Sequence, residues 1–233
     1  MRTKLTALLI AAAALTAGAA ADAAPIPVAT YTFQSQDDVN AFQKVFGPGC
    51  KRKWAGNKAL GIGVGKKTSS CVYRSSVVGD SSDQYPDQGM VANVTARGGT
   101  PKLQKKTFVG LGVRRSDSAG YVFRVLPTAH KWQYLRDPKG AGGPKLEASG
   151  TAKFIKLASK PNVIAIRAFS YGGTTTSVIA SVNGHRVVST TDSGEDQPDG
   201  RQTAVTAGVK GSAPGTGVVG FFDNVMVQVP NPF

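Results

Sequence analysis

The chain has 233 residues, a length that suits one large β-domain after removal of a leader. Lys and Arg number 28 against 14 Asp and Glu, a net charge of +14. Beyond the first residues no stretch approaches the roughly 18 consecutive apolar residues of a membrane span. No basic run is interleaved with aromatics and no recognition helix is visible, which sets aside specific nucleic-acid binding.

In chain order, Arg2 and Lys4 precede an apolar run from Leu5 to Ala17, and Ala21-Asp22-Ala23 offers a small-x-small cleavage pattern. Residues 1–23 are therefore expected to be a signal peptide, and 24–233 a single exported domain, secreted or held at the cell surface and acting as a monomer. Removing Arg2, Lys4 and Asp22 leaves 26 − 13, or +13, a field that attracts polyanions.

Val28 to Gln34 alternates as a first strand. Val39, Phe42 and Phe46 fall at helical spacing, which predicts a helix or helical turn over 36–46. Cys50 and Cys71, an even pair in an exported chain, predict one disulfide worth roughly 3 kcal/mol on loop entropy. Strands are expected at 59–64, 71–78, 90–96, 107–114, 121–126, 131–136, 162–169, 176–182, 185–190, 203–208 and 218–229, with a polar loop over 79–88. Asn183-Gly184 between SVIASV and HRVVST is a hairpin signal, because a type I′ turn needs positive φ at both central residues. The pattern is that of an all-β, two-sheet antiparallel sandwich, a jelly roll.

A series of spaced residues carries a family resemblance. It comprises Gly120-Tyr121-x-Phe123-Arg124, Trp132-x-Tyr134-x-Arg136, Leu146, Asn162-x-Ile164, Val182-Asn183-Gly184, Asp192, Gly217-x-x-Gly220-Phe221 and Asp223-Asn224-x-x-Val227. In order and spacing it resembles the concanavalin A-like lectin/glucanase superfamily, nearest to the laminin-G-like and 3-keto-disaccharide hydrolase-type domains of exported bacterial proteins. The resemblance covers about Val91 to Val229. It implies a jelly roll whose curved sheet often holds a saccharide on its concave face.

Glucanases of that superfamily carry Glu-x-Asp-x-x-Glu on one strand, and retaining hydrolysis needs two carboxyl groups about 5–5.5 Å apart. The motif is absent. Glu147 and Glu195 fall in KLEASG and SGEDQPDG, and GxSxG is absent too. The residues therefore favour a non-catalytic domain for carbohydrate or an anionic cell-envelope polymer. A hydrolase or lyase with a non-standard site and a purely structural surface protein remain the alternatives.

Sugar binding combines an aromatic face with polar side chains. Alternation assigns Tyr121, Phe123 and Val125 to the core and Arg124 to the concave side. It likewise sets Trp132, Tyr134 and Arg136 on one face of their strand and Gln133 on the other. Candidate ligand-binding residues are Arg124, Gln133, Arg114, Trp132, Tyr134 and Arg136. No cofactor is required. Calcium is a lesser possibility, with Asp80, Asp83, Asp87 and Asp223 as candidate ligands. His130 and His185 stand too far from any ligand cluster for zinc.

Overall fold

Strands of alternating inward apolar and outward polar side chains build two antiparallel sheets that face each other across one apolar core. The computed structural model describes residues 25–229, apart from residue 57 and stretches 79–86, 117–118, 139–142, 172–174 and 212–213. The expected signal peptide, Asp80 and Asp83 therefore lie outside the described residues.

In chain order the elements are β1 (Ile26–Tyr31), α1 (Gln36–Asn40), β2 (Phe42–Phe46), β3 (Lys51–Ala55), β4 (Ala59–Gly63), β5 (Ser70–Val78), β6 (Gln88–Arg97) and α2 (Pro101–Gln104). There follow β7 (Thr107–Arg115), β8 (Gly120–Leu126), β9 (Lys131–Asp137), β10 (Lys145–Thr151), β11 (Asn162–Tyr171), β12 (Thr175–Val182), β13 (His185–Asp192), β14 (Gln202–Val209) and β15 (Val219–Val229). The eight-stranded sheet runs β13-β12-β11-β6-β15-β4-β3 with β1 paired to β15, and the seven-stranded sheet runs β10-β9-β8-β7-β14-β5-β2. Leu60, Met90 and Phe222 of the first sheet meet Leu111, Tyr121 and Phe123 of the second, all fully buried. Each such side chain stabilises the fold by about 1.5–3 kcal/mol.

The expected strands form, and the expected helix is cut short. After one turn capped by Ser35, whose Oγ accepts from Asp38 N, the chain leaves α1 and extends into β2. The helical spacing of Val39, Phe42 and Phe46 is overridden by pairing of β2 with β5. Two further strands lack an apolar alternation to announce them. In β3 Arg52 and Trp54 face inward between exposed Lys51 and Lys53, and β10 is a largely exposed edge strand. At the predicted hairpin Asn183 and Gly184 have φ of 50° and 83°, as a type I′ turn requires. Asn183 also braces its surroundings, with Oδ1 accepting from Val163 N and Nδ2 donating to Phe154 O.

The disulfide forms between Cys50 and Cys71, 21 residues apart. Cys50 stands just before β3 of the eight-stranded sheet and Cys71 lies on β5 of the seven-stranded one, so the bond staples the two sheets together.

Burial holds the Tyr134 phenol far above the ordinary range, and it does the same for Tyr121, helped by a hydrogen bond from the Tyr121 hydroxyl to Asp192 Oδ2 at 2.8 Å. The unfolded chain ionises its tyrosines near pH 10.0 while the folded chain keeps these two neutral. Their contribution is intact below that pH and is lost as pH rises above it. Urea unfolding at pH 8 and 11 is expected to show lower stability at pH 11, with a smaller difference in a Tyr121→Phe/Tyr134→Phe double variant. An equal difference in the variant would refute the assignment.

Candidate functional site

The strands at the middle of the seven-stranded sheet send small and polar side chains outward. On β7 Val109, Leu111 and Val113 enter the core, so Phe108, Gly110 and Gly112 face out. On β8 Tyr121, Phe123 and Val125 are fully buried between the sheets, leaving Val122 and Arg124 on the outer face. Register then aligns β9, since Arg124 pairs with Gln133, Val122 with Leu135 and Gly120 with Asp137, and paired residues share a face. Two glycines on one face of β7 open a trough.

The result is a recess of about 90 Å³ whose polar lining includes Ser70, Arg115, Arg124, Asp137 and Thr206, with Phe108 as its aromatic wall. Arg124 lies with its guanidinium 4.2 Å from the centre of the Phe108 ring, and its Nε donates to Gln133 Oε1 at 2.9 Å. Gly110 makes room for it, because a Cβ there would stand 2.7 Å from the Arg124 Cβ and 2.6 Å from the Phe123 carbonyl oxygen. Burial pulls the Arg124 pKa down to about 10. No carboxylate among the described residues offsets that burial.

Beside it Arg115 Nη1 donates to Asp137 Oδ2 at 3.2 Å. Both residues are nearly buried, at 9% and 6% exposure. Burial holds the Arg115 guanidinium below its ordinary value, and Asp137 only partly restores it. The second carboxylate oxygen, Asp137 Oδ1, is buried and accepts no hydrogen bond among the described residues. A buried acceptor left unpaired costs about 1–3 kcal/mol.

The predicted site residues separate. Arg124 and Gln133 meet on the outer face. Arg114 does not join them, although strict alternation from Phe108 puts it outward. A bulge at Arg114, with φ of 49°, advances the pattern by one residue, turning Arg114 inward and placing Arg115 on the outer face instead. Arg114 is fully buried, with Nη1 donating to Thr176 Oγ1 at 2.5 Å and Nη2 to Ser170 Oγ at 2.6 Å and to Asp87 Oδ1 at 3.4 Å.

Trp132 and Tyr134 also turn toward the core. Trp132 packs against Phe123 and over Gly150, where a Cβ would stand 2.8 Å from the indole, and Tyr134 stacks on Tyr121. Arg136 shares that face and clamps Asp192 and Asp196, each at 2.5 Å, which ties β9 to the end of β13 and the loop after it. The aromatic wall of the recess is Phe108, which no sugar-binding motif announces. Its signal is the Phe-x-Gly-x-Gly spacing of 108, 110 and 112.

The candidate calcium ligands are dispersed. Asp87 is bonded to Arg114 and to Ser170 N, and Asp223 Oδ1 accepts from Asn224 N within a bulge of β15 where Asn224 has φ of 48°. Among the described residues no three His, Cys, Asp or Glu side chains converge. No helix among them is long and apolar enough to cross a membrane.

Two larger clefts occur elsewhere. One of about 500 Å³ lies beside Arg97, Pro127 and Leu157, and one of about 440 Å³ crosses the eight-stranded sheet at Phe221. Among the described residues that line them, none has a buried unpaired polar atom.

No protein-family model matches the chain, and no curated protein does. Solved structures do. The carbohydrate-binding module CBM66 from Bacillus subtilis superposes with a TM-score of 0.56 over 81% of this chain and 95% of its own, at 14% identity. Endo-1,3-β-glucanase from Streptomyces sioyaensis gives 0.58 over 89% and 98%, at 13% identity. The CBM2 module of an evolved Dit from Lactobacillus casei BL23 phage J-1 gives 0.54 over 90% and 97%, at 10% identity. The chain has the concanavalin A-like jelly-roll fold. On this jelly roll Asp137 is the carboxylate lining the recess, while Glu147 of β10 and Glu195 of the loop after β13 are exposed and stand outside it.

Proposed function

We propose that the protein is a secreted, non-catalytic carbohydrate-binding domain that holds its ligand on the outer face of the seven-stranded sheet. The observation that carries this reading is the Arg124 guanidinium, held over the Phe108 ring in a polar recess of the outer face with no carboxylate partner among the described residues. Guanidinium donors suit sugar oxygens, and Phe108, buried beneath Arg124, holds that guanidinium in place. A recess of this volume takes the edge of one sugar unit while the rest of a chain lies across the sheet. The module from Bacillus subtilis and the phage Dit module, both named for carbohydrate binding, support the same ligand class. The surplus of basic residues adds long-range attraction toward anionic cell-envelope polymers.

The test is a glycan array with the purified mature protein at two salt concentrations, repeated with Asp137→Asn. The amide keeps the shape but removes the carboxylate that lines the recess and pairs with Arg115, and binding is expected to fall by about tenfold or more. Unchanged binding by the variant, or no glycan bound by the wild type, would overturn the reading. Product release abolished by a single Asp or Glu substitution would overturn the non-catalytic part.

A further inference from the structure

Arg124 is a cation built into the recess without a counter-ion. Its Nε is engaged by a neutral amide, Gln133, and one face by the Phe108 ring, while among the described residues its Nη atoms meet no hydrogen-bond acceptor. The ring contact and the Nε bond hold the guanidinium in place. Its remaining fork has a defined direction, which suits two parallel bonds to a planar anion. The other cation lining the recess, Arg115, is already neutralised by Asp137, so the recess as a whole carries an uncompensated positive charge.

Asp137 shares the outer face, across from Gly120 and four residues along the sheet from the Arg124 position, a Cα separation of roughly 13 Å at strand geometry.

We propose that the recess selects a uronate-containing glycan, with the carboxylate of one ring on the free fork of Arg124. This rests on the carbohydrate-binding reading and narrows it to an acidic class. A carboxylate is favoured over a sulfate because its plane and two oxygens match the guanidinium fork. Arg124 is the specificity-determining residue, and Gln133 and Phe108 are its positioning residues.

The experiment is calorimetric titration with an oligouronate, with the same oligosaccharide after reduction of its carboxyls to alcohols, and with a sulfated oligosaccharide of equal length. The wild type is expected to prefer the oligouronate over its reduced form by about tenfold or more. Arg124→Gln is expected to erase that preference, and Arg124→Lys to keep the charge but recover only part of it. A melting curve confirms that each variant is folded, and Gln133→Leu, which frees the guanidinium, is expected to weaken the preference without removing it.

Equal binding of the oligouronate and its reduced form by the wild type would overturn the assignment to Arg124 while leaving a carbohydrate ligand in place. Tighter binding of the sulfated chain would overturn the carboxylate, and so would a preference that survives in Arg124→Gln. Binding of none of the three, with array binding of a neutral glycan lost in Asp137→Asn, would overturn the acidic class alone. A blank array as well would overturn both.

Discussion

Replacing Arg114 with alanine is expected to destabilise the fold by about 3–5 kcal/mol, more than any surface substitution. The side chain is fully buried and links β7 of one sheet to Thr176 of β12 and Ser170 of β11 in the other, with Asp87 as its charged partner. Alanine leaves a cavity between the sheets and removes donors from groups packed around it. Thr176 Oγ1 keeps its own bond to Gln197 Oε1, but it loses the guanidinium that orients it.

The backbone supplies an internal control. At φ of 49° a Cβ is disfavoured by about 1–2 kcal/mol, so Arg114→Gly, although it deletes more atoms, is expected to be about 1 kcal/mol less damaging than Arg114→Ala. Urea unfolding of the three proteins checks both size and order. An alanine variant within about 1 kcal/mol of wild type would show that the network contributes little.

Removing the disulfide as Cys50→Ala/Cys71→Ala is expected to lower stability by about 3 kcal/mol, or the melting temperature by roughly 10 °C for a chain of this size. The link spans 21 residues and joins opposite sheets at the β3 and β5 end. Loop entropy in the unfolded chain therefore acts together with docking of β3, a short edge strand held also by pairing with β4, by the Trp54 contact to the Phe33 carbonyl and by Arg52 donating to the Asn40 and Phe42 carbonyls. Melting in the presence of reductant is expected to match the double variant. A reduced wild type as stable as the oxidised one would contradict this.

Much of the architecture was legible. Alternation placed most strands, because an inward apolar and an outward polar residue must succeed one another in a half-buried strand. Asn183-Gly184 set its hairpin, and the pair Cys50 and Cys71 set the disulfide. The edge elements β3 and β10 were not legible, since a strand exposed on most of its surface has no burial to pattern its residues. Over β2 a helical period arose from Val39, Phe42 and Phe46, which serve different elements.

The candidate site was legible only in part. Arg124 and Gln133 were readable as outward because Tyr121, Phe123 and Val125 left them no other face. Arg114 was not, because one left-handed residue shifts everything after it by a position and nothing in Val113-Arg114-Arg115 says which arginine absorbs the bulge. Asp137 was invisible as well. Among the described residues its second oxygen is left unpaired, because Arg115, displaced outward by that bulge, satisfies only the other one.

The sequence by itself determined the jelly roll, its disulfide and the absence of the glucanase motif, because these depend on local period, turn chemistry and residue content. Only the tertiary structure decided which of two adjacent arginines is a buried strut and which flanks the recess. It also decided that the aromatic wall is Phe108 and not Trp132 or Tyr134. Those choices depend on a backbone bulge and on pairing between strands distant in the chain, and neither leaves a mark on hydrophobic alternation.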